Sequence, residues 1–100
     1  MVALNAIGYE EIIVGIAPIG FTAPTGLLPK HALFLVRGAA VRRKSDGANP
    51  TSTSGMFYAE GTYVDWTDPE KNYQGIIQRA QFVRDANATQ NATLVVEYYG

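Results

Sequence analysis

The side chains that could do chemistry are few. His31 is the single histidine, and cysteine is absent. Without a thiol or a recognisable nucleophile motif, His31 has nothing to activate as a base. It sits at the mouth of an apolar run, where a histidine is more often packed or hydrogen-bonded. Zinc sites take several His or Cys ligands, so one histidine does not supply such a centre.

Four carboxylates, Glu60, Asp65, Asp68 and Glu70, fall close together in sequence. Oxygen ligands of this kind could hold a calcium ion, but the spacing matches no EF-hand loop. A solvated acidic face is the simpler reading. A glycosidase-like carboxylate pair would need an aromatic-lined cleft that the sequence does not signal. Five of the eight basic residues, Lys30, Arg37, Arg42, Arg43 and Lys44, also cluster. Net charge is −1, which argues against a dedicated nucleic-acid binder. The cluster suits charge complementarity with an acidic neighbour better, the 60–70 segment of another copy included. Tyr58, Tyr63, Trp66, Tyr73, Tyr98 and Tyr99 could form a carbohydrate platform. Aromatics alternating on strands more often fill a core or an interface. Asn87-Ala88-Thr89 and Asn91-Ala92-Thr93 are formal glycosylation acceptors, without any sign of a secretory route. The residues therefore imply no cofactor, no metal and no enzyme.

The elements that would position these residues read as strands. Gly and Pro recur from Gly15 to Gly75 at intervals that leave room for strands but for few helices. Between them lie runs rich in Val, Ile, Phe, Tyr and Thr. Tyr9 to Ile16 places Ile12, Val14 and Ile16 on one face, with Glu10 at the solvent end. Ala17 to Lys30 is irregular, and either crosses between sheets or wraps a neighbouring subunit. His31 to Gly38 is apolar on both faces, Leu33 and Leu35 on one, Ala32, Phe34 and Val36 on the other. In a small antiparallel domain the second face needs its own cover, a loop or another chain.

Ala39 to Lys44 continues past a bend at Gly38, and Ser45 to Thr53 is a polar turn. Met56 to Ala59 and Thr62 to Trp66 follow as short strands. Thr67-Asp68-Pro69-Glu70 carries the signals of a helix start, giving at most one short helix near 68–74. Ile76 to Arg84 reads as a strand, with Ala80, Phe82 and Arg84 on one face. Asp85 to Asn91 reads as a hairpin loop, and Ala92 to Tyr99 as a closing strand paired inside a sheet. About seven short strands in one domain, 1–100, predict an all-β fold: an antiparallel β-sandwich or jelly-roll-like barrel.

Composition sharpens the functional class. Only 17 % of residues are charged, below the roughly 25 % of typical soluble domains. That deficit is expected where partner chains cover part of the surface. No apolar run approaches the roughly 20 residues that span a bilayer, and Met1 to Gly8 lacks the order of a signal peptide. The absence of cysteine suits a reducing compartment.

Three segments in order carry a resemblance: Ala32 to Gly47, with its Val41-Arg42-Arg43-Lys44 and Asp46-Gly47; Asn49-Pro50-Thr51 to Gly55-Met56; and Phe82-Val83 to Tyr98-Tyr99-Gly100. Together they resemble small virion proteins of tailed bacteriophages over roughly residues 20 to 100. The spaced Asp-Gly, Pro-Thr and Gly-Met block and the Tyr-Tyr-Gly ending are the more telling parts. Thr67 to Gln78 departs from that pattern, being longer and more polar.

The resemblance implies a β-sandwich virion component. It is similar to the capsid cement or decoration proteins that sit at capsomer junctions, often as trimers. Its implied partners are the major capsid protein and further copies in a homotrimer, on the capsid surface of a virion assembled in the host bacterial cytoplasm. No nucleic acid and no membrane are expected as partners. On this reading Phe21, Leu27, Leu28, Phe34, Tyr98 and Tyr99 make subunit contacts, and Arg42, Arg43 and Lys44 meet the capsid. The rival is a receptor- or glycan-binding module of a tail or head fibre, which needs exposed aromatics around Tyr58, Tyr63 and Trp66.

Overall fold

The structure, a computed structural model, describes residues 5–22 and 29–100. Leu27 and Leu28, expected at a subunit contact, lie outside the described residues. Eight strands and one helix follow in the order β1 (Ala6–Val14), β2 (Ile19–Gly20), β3 (His31–Arg37), β4 (Val41–Lys44), β5 (Met56–Tyr58), β6 (Tyr63–Trp66), α1 (Gln74–Arg79), β7 (Gln81–Arg84) and β8 (Ala92–Tyr99).

The strands form two four-stranded sheets in the orders β1-β8-β3-β6 and β2-β7-β4-β5. The pairs β4–β5, β3–β6, β2–β7 and β1–β8 are all antiparallel. They nest around one long folded-back ribbon, rolled so that its halves stack as two sheets. This is the eight-stranded jelly roll, one way of protecting sheet edges in an all-β domain.

Period-2 alternation explains why the strands bury what they bury. Ile12 and Val14 of β1, Ala32, Phe34 and Val36 of β3, and Leu94, Val96 and Tyr98 of β8 all point inward and are buried. Val41 and Phe82 answer from the second sheet. Phe21 sits among them, its ring edge-to-face with Phe82 at 5.2 Å, Phe34 at 5.6 Å and Tyr98 at 6.0 Å. Such pairs add about 0.5–1.5 kcal/mol each beyond the area they bury. In the middle of β1, Glu10 accepts hydrogen bonds from the Tyr98 hydroxyl and from the Thr22 amide and hydroxyl. These tie the edge strand to its neighbour and to the crossover.

The chain changes sheet at almost every connection; the bend expected at Gly38 is one such crossing, and two other expectations shift. Gly38 bends the chain from β3 in the first sheet to β4 in the second. Its φ of +85° suits glycine, and an added Cβ would lie 3.3 Å from the Asn91 carbonyl oxygen. Asp85 to Asn91 is an arch between sheets and not a hairpin loop, because β7 and β8 lie in different sheets. Ile16 leaves the β1 face after Gly15 and stands 81 % exposed.

The short helix begins at Gln74, later than expected, and takes the first half of the predicted Ile76–Arg84 strand. The capping groups upstream are spent on turns: Asp65 accepts from Thr67, and Asp68 from the Glu70 amide. Ile77 anchors the helix in the core at 2 % exposure.

Candidate functional site

The outer face of the first sheet is unusual for an antiparallel sheet, whose solvent side is normally polar. Residues paired across neighbouring strands share a face, so the register gives its layout. One row runs Tyr9, Glu97, Leu33, Asp65; the next runs Glu11, Val95, Leu35, Tyr63. A third runs Ile13, Thr93, Arg37. Leu33, Leu35 and Val95 come from the two central strands and are only half-buried. Tyr9, Ile13 and Tyr63 stand 60 %, 59 % and 61 % exposed on the edge strands. Tyr9, Leu33, Leu35, Tyr63, Val95 and Glu97 line a trough of ≈ 280 Å³ on this face. The second face of the 31–38 strand, expected to need a cover, is thus open among the described residues.

The carboxylates here hold neutral hydroxyl donors. The Tyr9 hydroxyl donates to Glu11 at 2.9 Å, and the Tyr99 hydroxyl donates to Glu97. The Glu97 hydrogen bond, then desolvation, then the nearby negative charge push the Tyr99 phenol up to about 12. The Tyr9 phenol is raised too, chiefly by its hydrogen bond to Glu11. The face therefore sets apolar contact area beside carboxylates whose donors are hydroxyl and amide groups.

His31 continues this face at its end, opposite Tyr99, but is enclosed at 5 % exposure. Its Nε2 lies 3.0 Å from the Asp68 carbonyl oxygen and 2.8 Å from that of Lys71. Both oxygens accept only, so Nε2 carries the proton. The ring fastens the 67–73 loop, helped by the Tyr73 amide donating to the Lys30 carbonyl at 2.8 Å. That role is structural.

The other sequence candidates disperse. Glu60 accepts from the Gly38 amide, and Asp65 and Asp68 serve their own turns. Among the described residues no group of three or more His, Cys, Asp or Glu side chains could hold a metal ion.

The basic cluster splits between the sheets, with Arg37 on β3 of the first and Arg42, Arg43 and Lys44 on β4 of the second. Arg42 pairs with buried Asp85 at 2.8 Å and lies over Phe57. The Asn87 amide and then Arg42 hold the Asp85 carboxyl below its ordinary range. Arg43 points the other way, its guanidinium carbon 5.1 Å from the Trp66 ring centre and 5.7 Å from that of Tyr58. Lys44 is half-buried on the Arg42 side.

Of the expected subunit contacts, Phe34 and Tyr98 are 1 % and 0 % exposed, filling this chain's own core and offering no surface to a second copy. Phe21 is half-buried among the same rings. Of the expected contacts among the described residues, Tyr99 alone belongs to the open face. Tyr9, Leu33, Leu35, Val95 and Glu97 are not among the contacts expected from sequence; the double apolarity of 31–38 signals Leu33 and Leu35, and the strand register adds the other three.

No family model, curated protein or solved structure matches this chain.

Proposed function

We propose that this protein is a structural component that works by docking the outer face of its β1-β8-β3-β6 sheet onto another protein, and that the assembly is the capsid of a tailed bacteriophage, where the chain acts as a cement or decoration protein. The observation that carries the docking role is the outward-facing Leu33, Leu35 and Val95 on the two central strands, flanked by exposed Tyr9 and Tyr63. Apolar side chains in the middle of a solvent face mark an interaction surface.

The capsid setting is supported by the resemblance of the 32–56 and 82–100 segments to phage virion proteins. The jelly roll agrees with it, since that fold builds viral capsid and lectin domains, but fold alone does not choose between them. A cement protein needs area and complementarity, on the order of 800 Å² per partner, and no reactive group. The major capsid protein is the proposed partner, with a homotrimer as the proposed unit on the capsid surface. Contact with the shell then falls to the sheet face, because Arg42 and Arg43 are engaged within the chain. The glycan-module reading is weaker, because Tyr58 and Trp66 are half-buried against Arg43 and only Tyr63 of that set is exposed.

The test is a reconstruction of particles carrying the wild-type chain or the double variant Leu33→Asp, Leu35→Asp. Density at threefold or quasi-threefold capsid positions, lost in a variant that still folds, supports the proposal. Density only at the tail, or full occupancy by the folded variant, overturns it.

A further inference from the structure

Resting on the docking face proposed above, we infer that its occupant is a protein surface presenting an arginine set between aliphatic side chains, and not a second copy of the same face. Among the described residues, three carboxylates, Glu11, Asp65 and Glu97, share the face with one cation, Arg37. Among the described residues the one ion pair is Arg42–Asp85, on the other sheet. The donors these carboxylates do hold are neutral: the Tyr9 hydroxyl on Glu11, the Tyr99 hydroxyl on Glu97, and the Thr67 amide and hydroxyl on Asp65. None of these donors is a cation, so the chain itself does not neutralise the three carboxylates among the described residues.

Position decides which occupant fits. Glu97 is on a central strand, half-buried, with Tyr9 and Leu33 beside it across the two neighbouring strands. A partner that covers Leu33, Leu35 and Val95 must also bury the Glu97 carboxylate. A buried carboxylate without a cation is costly, so the partner has to bring one. Arginine suits this place better than lysine. Its planar fork matches a carboxylate bidentately, and its flat face can stack on Tyr9 or Tyr63. A second copy docked face to face about a twofold axis sets the carboxylates of one face against those of the other, which repels. A phosphate backbone is repelled for the same reason.

The experiment titrates the ¹⁵N-labelled full chain with N-acetyl-Leu-Arg-Leu-amide and, separately, with the Leu-Glu-Leu counterpart, following backbone amide shifts. The expected result is a saturable shift confined to Tyr9, Leu33, Leu35, Tyr63, Val95 and Glu97 for the arginine peptide alone, weakening with added salt. Glu97→Gln should reduce the affinity about tenfold, as for loss of one charge-assisted pair. Glu11→Gln, at an exposed position, serves as the second variant if Glu97→Gln does not fold. Equal binding of both peptides on this face overturns the inference while the docking reading stands. Shifts scattered away from the face, or none, overturn the inference as well. The docking reading itself falls only if the folded double variant occupies the particle fully.

Discussion

The guanidinium carbon of Arg43 lies 5.1 Å from the centre of the Trp66 ring, so a cation from the second sheet closes over an aromatic of the first. Tyr73 stacks on Trp66 at 6.2 Å, with 12° between the planes. Arg43 Nη1 donates to the Ser45 hydroxyl at 2.8 Å, which fixes the guanidinium. The open side of the sandwich, between edge strands β5 and β6, is therefore pinned by a basic residue. Desolvated contacts of this kind are worth up to about 2 kcal/mol. Arg43→Ala should lower stability by about 2 kcal/mol, and Arg43→Lys by less, since it keeps charge but loses the plane. Urea unfolding followed by the emission of Trp66, the single tryptophan, measures both. Unchanged stability in Arg43→Ala, with binding to particles lost, would return Arg43 to the capsid contact the sequence suggested.

Phe21 gives a second separation of core from interface. Its ring meets Phe34, Trp66, Phe82 and Tyr98, all within this chain. Phe21→Ala should cost about 3 kcal/mol, the lower end for a large aromatic because the ring is half-buried. The loss should be the same at every protein concentration. A melting temperature that rises strongly with concentration in the wild type and not in the variant would place Phe21 at a subunit contact instead.

How much of this was legible in sequence depends on how local each feature is. The strands 31–37 and 92–99 were readable because alternation is a property of neighbouring residues. Their partners were not. Asp85 to Asn91 has the composition of a hairpin loop, yet β8 pairs with β1 and β3, and the choice is made by contacts distant in sequence. The helix was misplaced because Gln74–Arg79 is too short for propensity to decide, and burial of Ile77 selects it. The apolar outer face of the first sheet was half visible. Leu33 and Leu35 pointed to it, but only the register brings Tyr9, Glu11 and Glu97 alongside them. Phe34 and Tyr98 drew attention as large aromatics, and aromatics serve a core as readily as an interface.

Asp85 ties stability to acid pH. Its folded-state carboxyl sits below the ordinary value of 3.8, chiefly through the Asn87 amide and then through Arg42. A depressed carboxylate contributes stability that is complete above its unfolded value. That contribution is lost as pH falls through the folded one. Stability should therefore hold down to about pH 4 and decline below it. Asp85→Asn should be less stable than the wild type near neutrality, with the gap narrowing as pH drops under that point. Thermal melts across an acid series check this, and a gap constant down to the lowest pH would remove Asp85 as the source.

At the alkaline end the outer face of the first sheet is the sensor. Tyr99, donating to Glu97, is pushed up to about 12. The unfolded chain releases that proton near the ordinary tyrosine value of 10. Between the two values the folded state holds a proton that the unfolded state has lost, so stability falls as pH rises through this window. Glu97→Gln removes the carboxylate that holds the proton. Absorbance titration of tyrosinate should then show the Tyr99 step moving down toward 10, and the alkaline loss of stability becoming shallower. Tyr99→Phe should delete the late step altogether while leaving the other tyrosines in place. If the late step survives Tyr99→Phe, another phenol of the face, Tyr9 first, carries it, and the hydrogen bond to Glu97 is not what sets the field there.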